Sequence, residues 1–367
     1  MRPSRLRVVV LLLTVIAGPA WANGSGQQDS PGQHNAITDV PGISVGHFTG
    51  GDAGTTVVLA ASPTGQGVAG GVTQRGGSPG TRETDLMRPD NMVETMNAIV
   101  LSGGSAYGLA AASGVMSCLE GRAVGFPVGG GNVVPIVPTA VSFDRATCGR
   151  PAAARPDFTA GLQACVAATG GAVEQGNVGA GTGAVSGGIK GGIGSASVVL
   201  PNGIIVGALV SVNSDGAAYD SDGDLHAASL ELDSEFRALT KGGGHSHRVP
   251  PSLPGGPLRS GTNAVVATNV QLTKSQATKI AEMADDGVAR AINPAHTAGD
   301  GDTLFVLGTA RLAMATLGDE SAVVTQIGTA AANAVSRAIV HALLSAKSTS
   351  CQQNYCDTFP SACRHQR

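Results

Sequence analysis

Aromatic residues make up only 3% of this 367-residue chain and charged residues 13%, about half the usual charged share. With 23 Lys and Arg against 26 Asp and Glu, there is no basic footprint for nucleic acid. Low charge combined with many apolar positions also excludes disorder, which needs high net charge and low hydrophobicity. Few aromatics mean that Val, Ala, Ile and Leu must fill the core, and 54 glycines let backbones approach closely. Beyond the N-terminus no apolar run reaches the roughly 20 residues of a membrane span. A phosphate loop is excluded too, because no Gly-Lys-Ser/Thr occurs and no Gly-x-Gly-x-x-Gly falls between Gly179 and Ser186. The glycine-dense stretch Gly176–Gly192 therefore reads as close backbone approach or a substrate-side loop. No Gly-x-Ser-x-Gly sits directly between a strand and a helix, which disfavours a conventional Ser-His-Asp hydrolase even though His296 precedes Asp300 and Asp302. His245 and His247 lack a third donor, and Cys351, Cys356 and Cys363 miss the spacing of a zinc site. No metal and no cofactor is expected. The six cysteines read as oxidised pairs of unassigned connectivity.

What is present begins with an export signal. Arg2, Arg5 and Arg7 precede an apolar stretch, Val8 to Ala17, and Ala20-Trp21-Ala22 supplies a small-x-small cleavage site. Residues 1–22 are thus a signal peptide, and the mature chain, starting near Asn23, is expected to be periplasmic or secreted. Residues 23–36 form a polar leader, 37–345 a single domain, and 346–367 a cysteine-bearing tail. Strands are predicted at Ile43 to Phe48 and Thr55 to Ala60, with Val68 to Val72 continuing their sheet. Met92 to Val100 has helical character, followed by helices over Ser105 to Leu119 and Ala160 to Thr169. Ser195 to Leu200 and Ile204 to Val212 form a hairpin through Pro201-Asn202-Gly203. Thr262 to Thr268 is a strand, Thr273 to Ile292 a capped helix stopped by Pro294, Leu304 to Ala310 a strand, and Val323 to Ser345 a long helix. Clustered strands with grouped helices indicate a layered α+β domain.

The informative point is the Gly261–Thr262 junction. A loop rich in Gly, Pro and His enters a β-branched strand there. Glycine removes the Cβ that would hinder attack on its own carbonyl. Cutting that bond would give Thr262 a free α-amine beside its hydroxyl, a nucleophile with its own base. An ordinary loop-to-strand boundary is the plain alternative. Asp300 and Asp302, separated by one glycine before a strand, suit a substrate ammonium or a nucleophile's proton; an Asx turn is the competing reading. Asn213 ends a strand and suits an oxyanion donor or a turn. Arg82 suits a bidentate carboxylate clamp or a surface ion pair, and Ser105 a nucleophile or a helix N-cap.

Taken together, the stretches Ile37 to His47, Pro79 to Asp85, Leu101 to Leu109, Val134 to Val137, Gly176 to Gly183, Val206 to Asn213, Val265 to Asn269 and Asp300 to Thr303 resemble the DmpA-type self-processing peptidases. The likeness runs from about Ile37 to Ser345. It implies an αββα four-layer sandwich, cut between Gly261 and Thr262 into a large and a small subunit, and a homo-oligomer of such processed heterodimers. The implied activity is release of N-terminal residues from small peptides, amino-acid amides or esters, without a metal, nucleic acid or membrane. Thr262 matches the nucleophile, Asn213 the oxyanion asparagine, and Asp300 and Asp302 a Ser-x-acid pair, with Arg82 and Ser105 carried as substrate-binding candidates. The chain departs from the family in reading Ser260-Gly261-Thr262 where relatives have Asn-Thr-Thr, so Ser260 is the alternative nucleophile. It has Pro138-Thr139-Ala140-Val141-Ser142 where some members place a catalytic tyrosine, and Asp300 where a serine is usual. An acyltransferase of the ornithine-acetyltransferase type and a non-catalytic exported binding protein are the alternative functions.

Overall fold

Alternating Val, Ile and Ala build two five-stranded sheets in the computed structural model, which describes residues 29–144, 155–239 and 260–363. The export signal, Cys148 and the loop histidines His245 and His247 lie outside the described residues. The first half contains β1 (Ile43–Gly50), β2 (Ala53–Ala60), β3 (Ala69–Gln74), β4 (Gly80–Arg82), β5 (Ala98–Ser102), α1 (Ala111–Glu120), β6 (Phe126–Gly129), β7 (Asn132–Val134), β8 (Thr139–Val141) and α2 (Phe158–Val166). The second contains β9 (Val185–Ser186), β10 (Ile189–Lys190), β11 (Gly192–Val199), β12 (Ile205–Val212), β13 (Asn263–Val270), α3 (Lys274–Ala291), β14 (Thr303–Leu312), α4 (Glu320–Ser345) and α5 (Tyr355–Thr358).

One sheet runs β1-β2-β5-β8-β4 and the other β11-β12-β13-β14-β3. Their inner faces meet through Val58, Ile99 and Leu101 on one side and Leu209, Val265, Phe305 and Leu307 on the other. Burying each such side chain stabilises the fold by about 1.5–3 kcal/mol. α1 and α2 cover the first sheet through Val115 and Ala164 against Val57 and Val100. α3 and α4 cover the second, with Ile280 and Ile339 against Val210 and Val266. This is the four-layer αββα sandwich. Glycine has a specific use in it: a Cβ at Gly194 on β11 would lie 1.9 Å from Ala338 O on α4, so only glycine allows that helix to sit so close.

Local signals hold where they are strong. Gly203 turns the β11–β12 hairpin with φ +81°, and the Thr273 side chain caps α3 by accepting from Gln276 N–H. Two expectations fail. Met92 to Val100 is extended, not helical, because Met96 bridges Val68 and the chain continues into interior strand β5. β3 does not continue the β1–β2 sheet; it crosses to pair antiparallel with β14 at the edge of the other one. α4 is long and apolar enough to cross a membrane by length and composition, yet 78% of that window is buried inside the protein.

Disulfides join Cys118 on α1 to Cys165 on α2, and Cys356 to Cys363 within the tail. The tail docks: Phe359 meets Tyr219 edge-on at 5.0 Å between ring centroids. The leader docks as well, since Ser30 bridges Val199 on β11.

Candidate active site

Parallel pairing of β13 with β14 places the residues ahead of one strand beside those ahead of the other. Ser260 bridges Asp300, so Ser260-Gly261-Thr262 runs alongside Asp300-Gly301-Asp302. The approach is tight, since a Cβ at Gly261 would sit 3.1 Å from Gly301 Cα. Thr262, Asp300 and Asp302 are all at most 2% exposed.

The peptide link between Gly261 and Thr262 is held by hydrogen bonds on both sides. Gly261 N–H donates to Asn213 O at 2.7 Å. The Ser142 hydroxyl donates to Gly261 O at 3.1 Å. Thr262 N–H donates to Asp302 Oδ1 at 2.7 Å. Thr262 Oγ1 is buried and has no hydrogen-bond partner among the described residues. A buried hydroxyl without a partner costs roughly 1–3 kcal/mol, and a catalytic role is one explanation for tolerating that cost.

Ser260 is engaged differently. Its hydroxyl donates to Asp300 Oδ1 and accepts from Asp215 N–H at 3.0 Å. Burial, followed by the charge of Asp300, pushes the Asp215 carboxyl above its ordinary pKa. Asp300 also accepts from Thr297 N–H at 2.8 Å. Asp300 thus lies beside Ser260, and its side-chain bond runs back three residues to Thr297 N–H rather than forward to Asp302 as an Asx turn would.

Asn213 enters with its side chain as well as its backbone. Its Oδ1 accepts from Val185 N–H at 3.0 Å, and its Nδ2 donates to Phe143 O at 3.2 Å. The carboxamide is thereby oriented between the β9 strand and the segment after β8.

Behind Asp302 lies a chain of charges. His296 Nδ1 is 2.8 Å from Asp302 Oδ2, and its Nε2 is 3.1 Å from Asp285 Oδ2 on α3. Hydrogen bonds to Asp285 and then Asp302 raise the imidazole to about 10 against the opposing effect of burial. A protonated His296 donating from both nitrogens matches this geometry. It anchors one Asp302 oxygen while the other accepts the Thr262 N–H.

Two more buried groups flank Asn213. Lys190 Nζ donates to Gly181 O, Ala184 O and Gly191 O, each at 2.8 Å, which uses all three N–H bonds of an ammonium. Burial pulls its pKa down to about 7. Asp144 follows Phe143 and accepts from Gly104 N–H at 2.6 Å, and burial pushes its pKa up to about 6.

The remaining sequence candidates lie farther out in the network. Ser105 N–H donates to Ser142 O at 3.0 Å, so Ser105 touches the site through the backbone of Ser142. It is not the N-cap of its 3-10 turn; Gly104 is, with φ +84°. Arg82 donates to Ser113 Oγ at 2.9 Å and Met116 Sδ at 3.2 Å on α1, contacts separate from those around Thr262. Sequence reading missed Ser142, Asn263, Lys190, Asp144 and Asp285. The nearest signal was the stretch ending in Ser142, noted there for the tyrosine it lacks. His296 was noticed beside the two acids; of these it pairs with Asp302, and its second partner, Asp285, needed the fold.

The chain belongs to peptidase family S58, whose model matches residues 35–356. It is 41% identical over 363 aligned residues to an uncharacterised aminopeptidase of Mycobacterium leprae, covering 89% of this chain and 95% of that protein. It is 29% identical to the 6-aminohexanoate-oligomer endohydrolase of Paenarthrobacter ureafaciens over 80% of this chain and 82% of that one. A Burkholderia β-aminopeptidase superposes with a TM-score of 0.64 at 25% identity, covering 92% of this chain and 96% of that one. The L-aminopeptidase D-Ala-esterase/amidase of Ochrobactrum anthropi, described as a variant of the Ntn hydrolase fold, superposes with a TM-score of 0.67 at 20% identity. It covers 92% of this chain and 97% of that one, a likeness of fold.

Proposed function

We propose that this protein is a self-activating aminopeptidase and amidase whose nucleophile is Thr262. The observation that carries the reading is the junction itself. Thr262 Oγ1 is buried without a partner among the described residues, while the preceding carbonyl and both adjacent N–H groups are held by Ser142, Asn213 and Asp302. The Ser260 hydroxyl is instead occupied by Asp300 and Asp215, which favours Thr262.

In the first step Thr262 Oγ1 bonds to the Gly261 carbonyl carbon, and the carbon–nitrogen bond breaks. The hydroxyl proton ends on the threonine nitrogen, leaving an ester. Water hydrolyses that ester to a Gly261 carboxylate and a free Thr262. The new α-amine then serves as base to its own hydroxyl. A substrate acyl group is carried on Oγ1 and released by a second water. Asn213 is the assigned oxyanion donor, and Asp302 positions the amine. The substrates proposed are short peptides and amino-acid amides or esters with a free amine, consistent with the aminopeptidase names of relatives. Export to the periplasm or medium, and assembly as a homo-oligomer of cut chains, complete the proposal.

Denaturing electrophoresis with N-terminal sequencing of the purified protein tests it. Two fragments, the smaller beginning at Thr262, are expected, together with release of p-nitroaniline from amino-acid anilides. A smaller fragment beginning at Ser260 would move the nucleophile. A chain that stays intact would sink the mechanism.

A further inference from the structure

Ser142 sits at the end of β8, on the opposite sheet from Thr262, and is 1% exposed. Its backbone is fixed from two sides: Ser142 N–H donates to Ser102 O at 2.8 Å, and Ser105 N–H donates to Ser142 O at 3.0 Å. The hydroxyl crosses between the sheets to Gly261 O at 3.1 Å. A carbonyl oxygen only accepts, so Ser142 is the donor in that bond, and a third residue supports the arrangement. Asn263 Nδ2, fully buried on β13, donates to Ser142 Oγ at 3.2 Å. An amide nitrogen can only donate, so the Ser142 oxygen is the acceptor there and its own proton is left for Gly261 O.

The ladder partly explains why Gly261 O needs such a donor. Pairing between β12 and β13 ends at Ser211 with Asn263, so the Gly261 carbonyl lies beyond the last ladder rung. A carbonyl at that point requires a partner when buried. Here the partner is a side-chain hydroxyl brought from the other sheet and oriented by the residue next to the proposed nucleophile.

We infer that Ser142, oriented by Asn263, is the oxyanion donor for self-cleavage, acting on the carbonyl that Thr262 attacks. The inference rests on the Thr262 reading and adds a catalytic residue to it. When Thr262 Oγ1 adds to the Gly261 carbon, the π electron pair moves onto Gly261 O, which becomes an oxyanion. The Ser142 O–H, already aimed at that atom, shortens its bond without reorganising. The pair returns to re-form the carbonyl as the bond to nitrogen breaks. Ser142 keeps its proton throughout. A donor preorganised in a buried site favours the charged state over the neutral carbonyl and so lowers the barrier.

The test follows the conversion of newly made full-length chain into two fragments over time, by denaturing electrophoresis. Ser142→Ala is expected to slow conversion on the order of 100-fold, the effect of losing one oxyanion donor, with Ser142→Thr restoring most of the rate. Ser142→Cys fills the same space with a weak donor and is expected to be slow, which separates the chemistry from packing if the alanine variant folds poorly. Asn263→Leu, which removes the group orienting the hydroxyl, is expected to slow conversion by a smaller factor. Circular dichroism melting of the uncut variants checks that each is folded. If wild-type chain is cut before Thr262 while Ser142→Ala and Ser142→Cys are cut equally fast, this inference is overturned and the Thr262 reading stands. If wild-type chain is not cut before Thr262, both are overturned together.

Discussion

Asp302 joins Thr262 to His296: one carboxylate oxygen accepts the Thr262 N–H at 2.7 Å, and the other lies 2.8 Å from His296 Nδ1. Both oxygens are committed, and the residue is 2% exposed. Replacing it with Asn leaves one oxygen for three donors, the Thr262 N–H and the backbone N–H and Nδ1 of His296, because the amide nitrogen only donates. Asp302→Asn is therefore expected to lower the self-cleavage rate by about 100-fold. The fraction of intact chain against time measures it, and conversion at the wild-type rate would remove Asp302 from the mechanism.

His296 should leave a pH signature in stability. Its pKa is raised to about 10, first by Asp285 and then by Asp302, from an unfolded value of about 6.5. A raised pKa means its contribution is complete below about pH 6.5 and is lost as pH climbs through about 10. At pH 6, His296→Gln is expected to cost about 3 kcal/mol, since two buried carboxylates lose their cation. The gap between variant and wild-type melting temperatures should close between pH 7 and 11. A gap independent of pH would show that the histidine is neutral.

A second ion pair acts at the other end of the pH scale. Arg337 on α4, 1% exposed, is 2.5 Å from Glu235 Oε1, and His341 Nε2 is 2.8 Å from Glu235 Oε2. Burial opposes ionisation of Glu235, yet its hydrogen bonds to His341 and Arg337 hold its pKa down at about 2. A depressed pKa gives stability that is present above about 4.5 and is lost as pH falls through about 2. Arg337→Met takes the guanidinium from that buried carboxylate and leaves it only His341, Asn35 and the Leu232 N–H, at a cost of about 3 kcal/mol. Urea unfolding at pH 7 reads this directly, and a change under 1 kcal/mol would contradict it.

Cutting at Gly261 should not separate the two pieces. β13 and β14, downstream of the cut, lie between β12 and β3, both upstream of it. The Glu235–Arg337 pair spans the same division. The fragments are expected to co-elute in native size-exclusion chromatography and to part only in denaturant. Elution as separate species would contradict the interleaved sheet.

The tail acts as a packed element. Tyr355 and Phe359 are each 1% exposed, and Phe359 lies against Tyr219. Phe359→Ala is expected to destabilise by about 3–5 kcal/mol, read as a lower thermal midpoint. An unchanged midpoint would make the tail dispensable.

Much of this protein was readable before folding was considered. The Asn-Gly turn, the Thr273 cap and the long apolar helices are local: each depends on residues within a few positions, through φ preference, capping or periodicity. The site was half legible. Thr262, Asn213, Asp300 and Asp302 sit at strand ends, where chain pattern and family likeness both point. Ser142, Asn263 and Asp285 carry no local mark of their roles, because a serine after Thr139-Ala140-Val141 reads only as a strand end. β3 and β5 were misplaced or misread for the same reason, since pairing partners far along the chain chose their sheet and conformation.

From the sequence came a layered α+β domain, made αββα by the family likeness, and the junction where Gly261 meets Thr262. Tertiary structure decided what surrounds that junction. It set Ser142 on the Gly261 carbonyl, and it placed His296 between Asp285 and Asp302. It also left the Thr262 hydroxyl without a partner among the described residues. Those contacts join residues as far apart as Ser142 and Gly261, and only the meeting of two sheets and the parallel pairing of β13 with β14 brings them within hydrogen-bond reach.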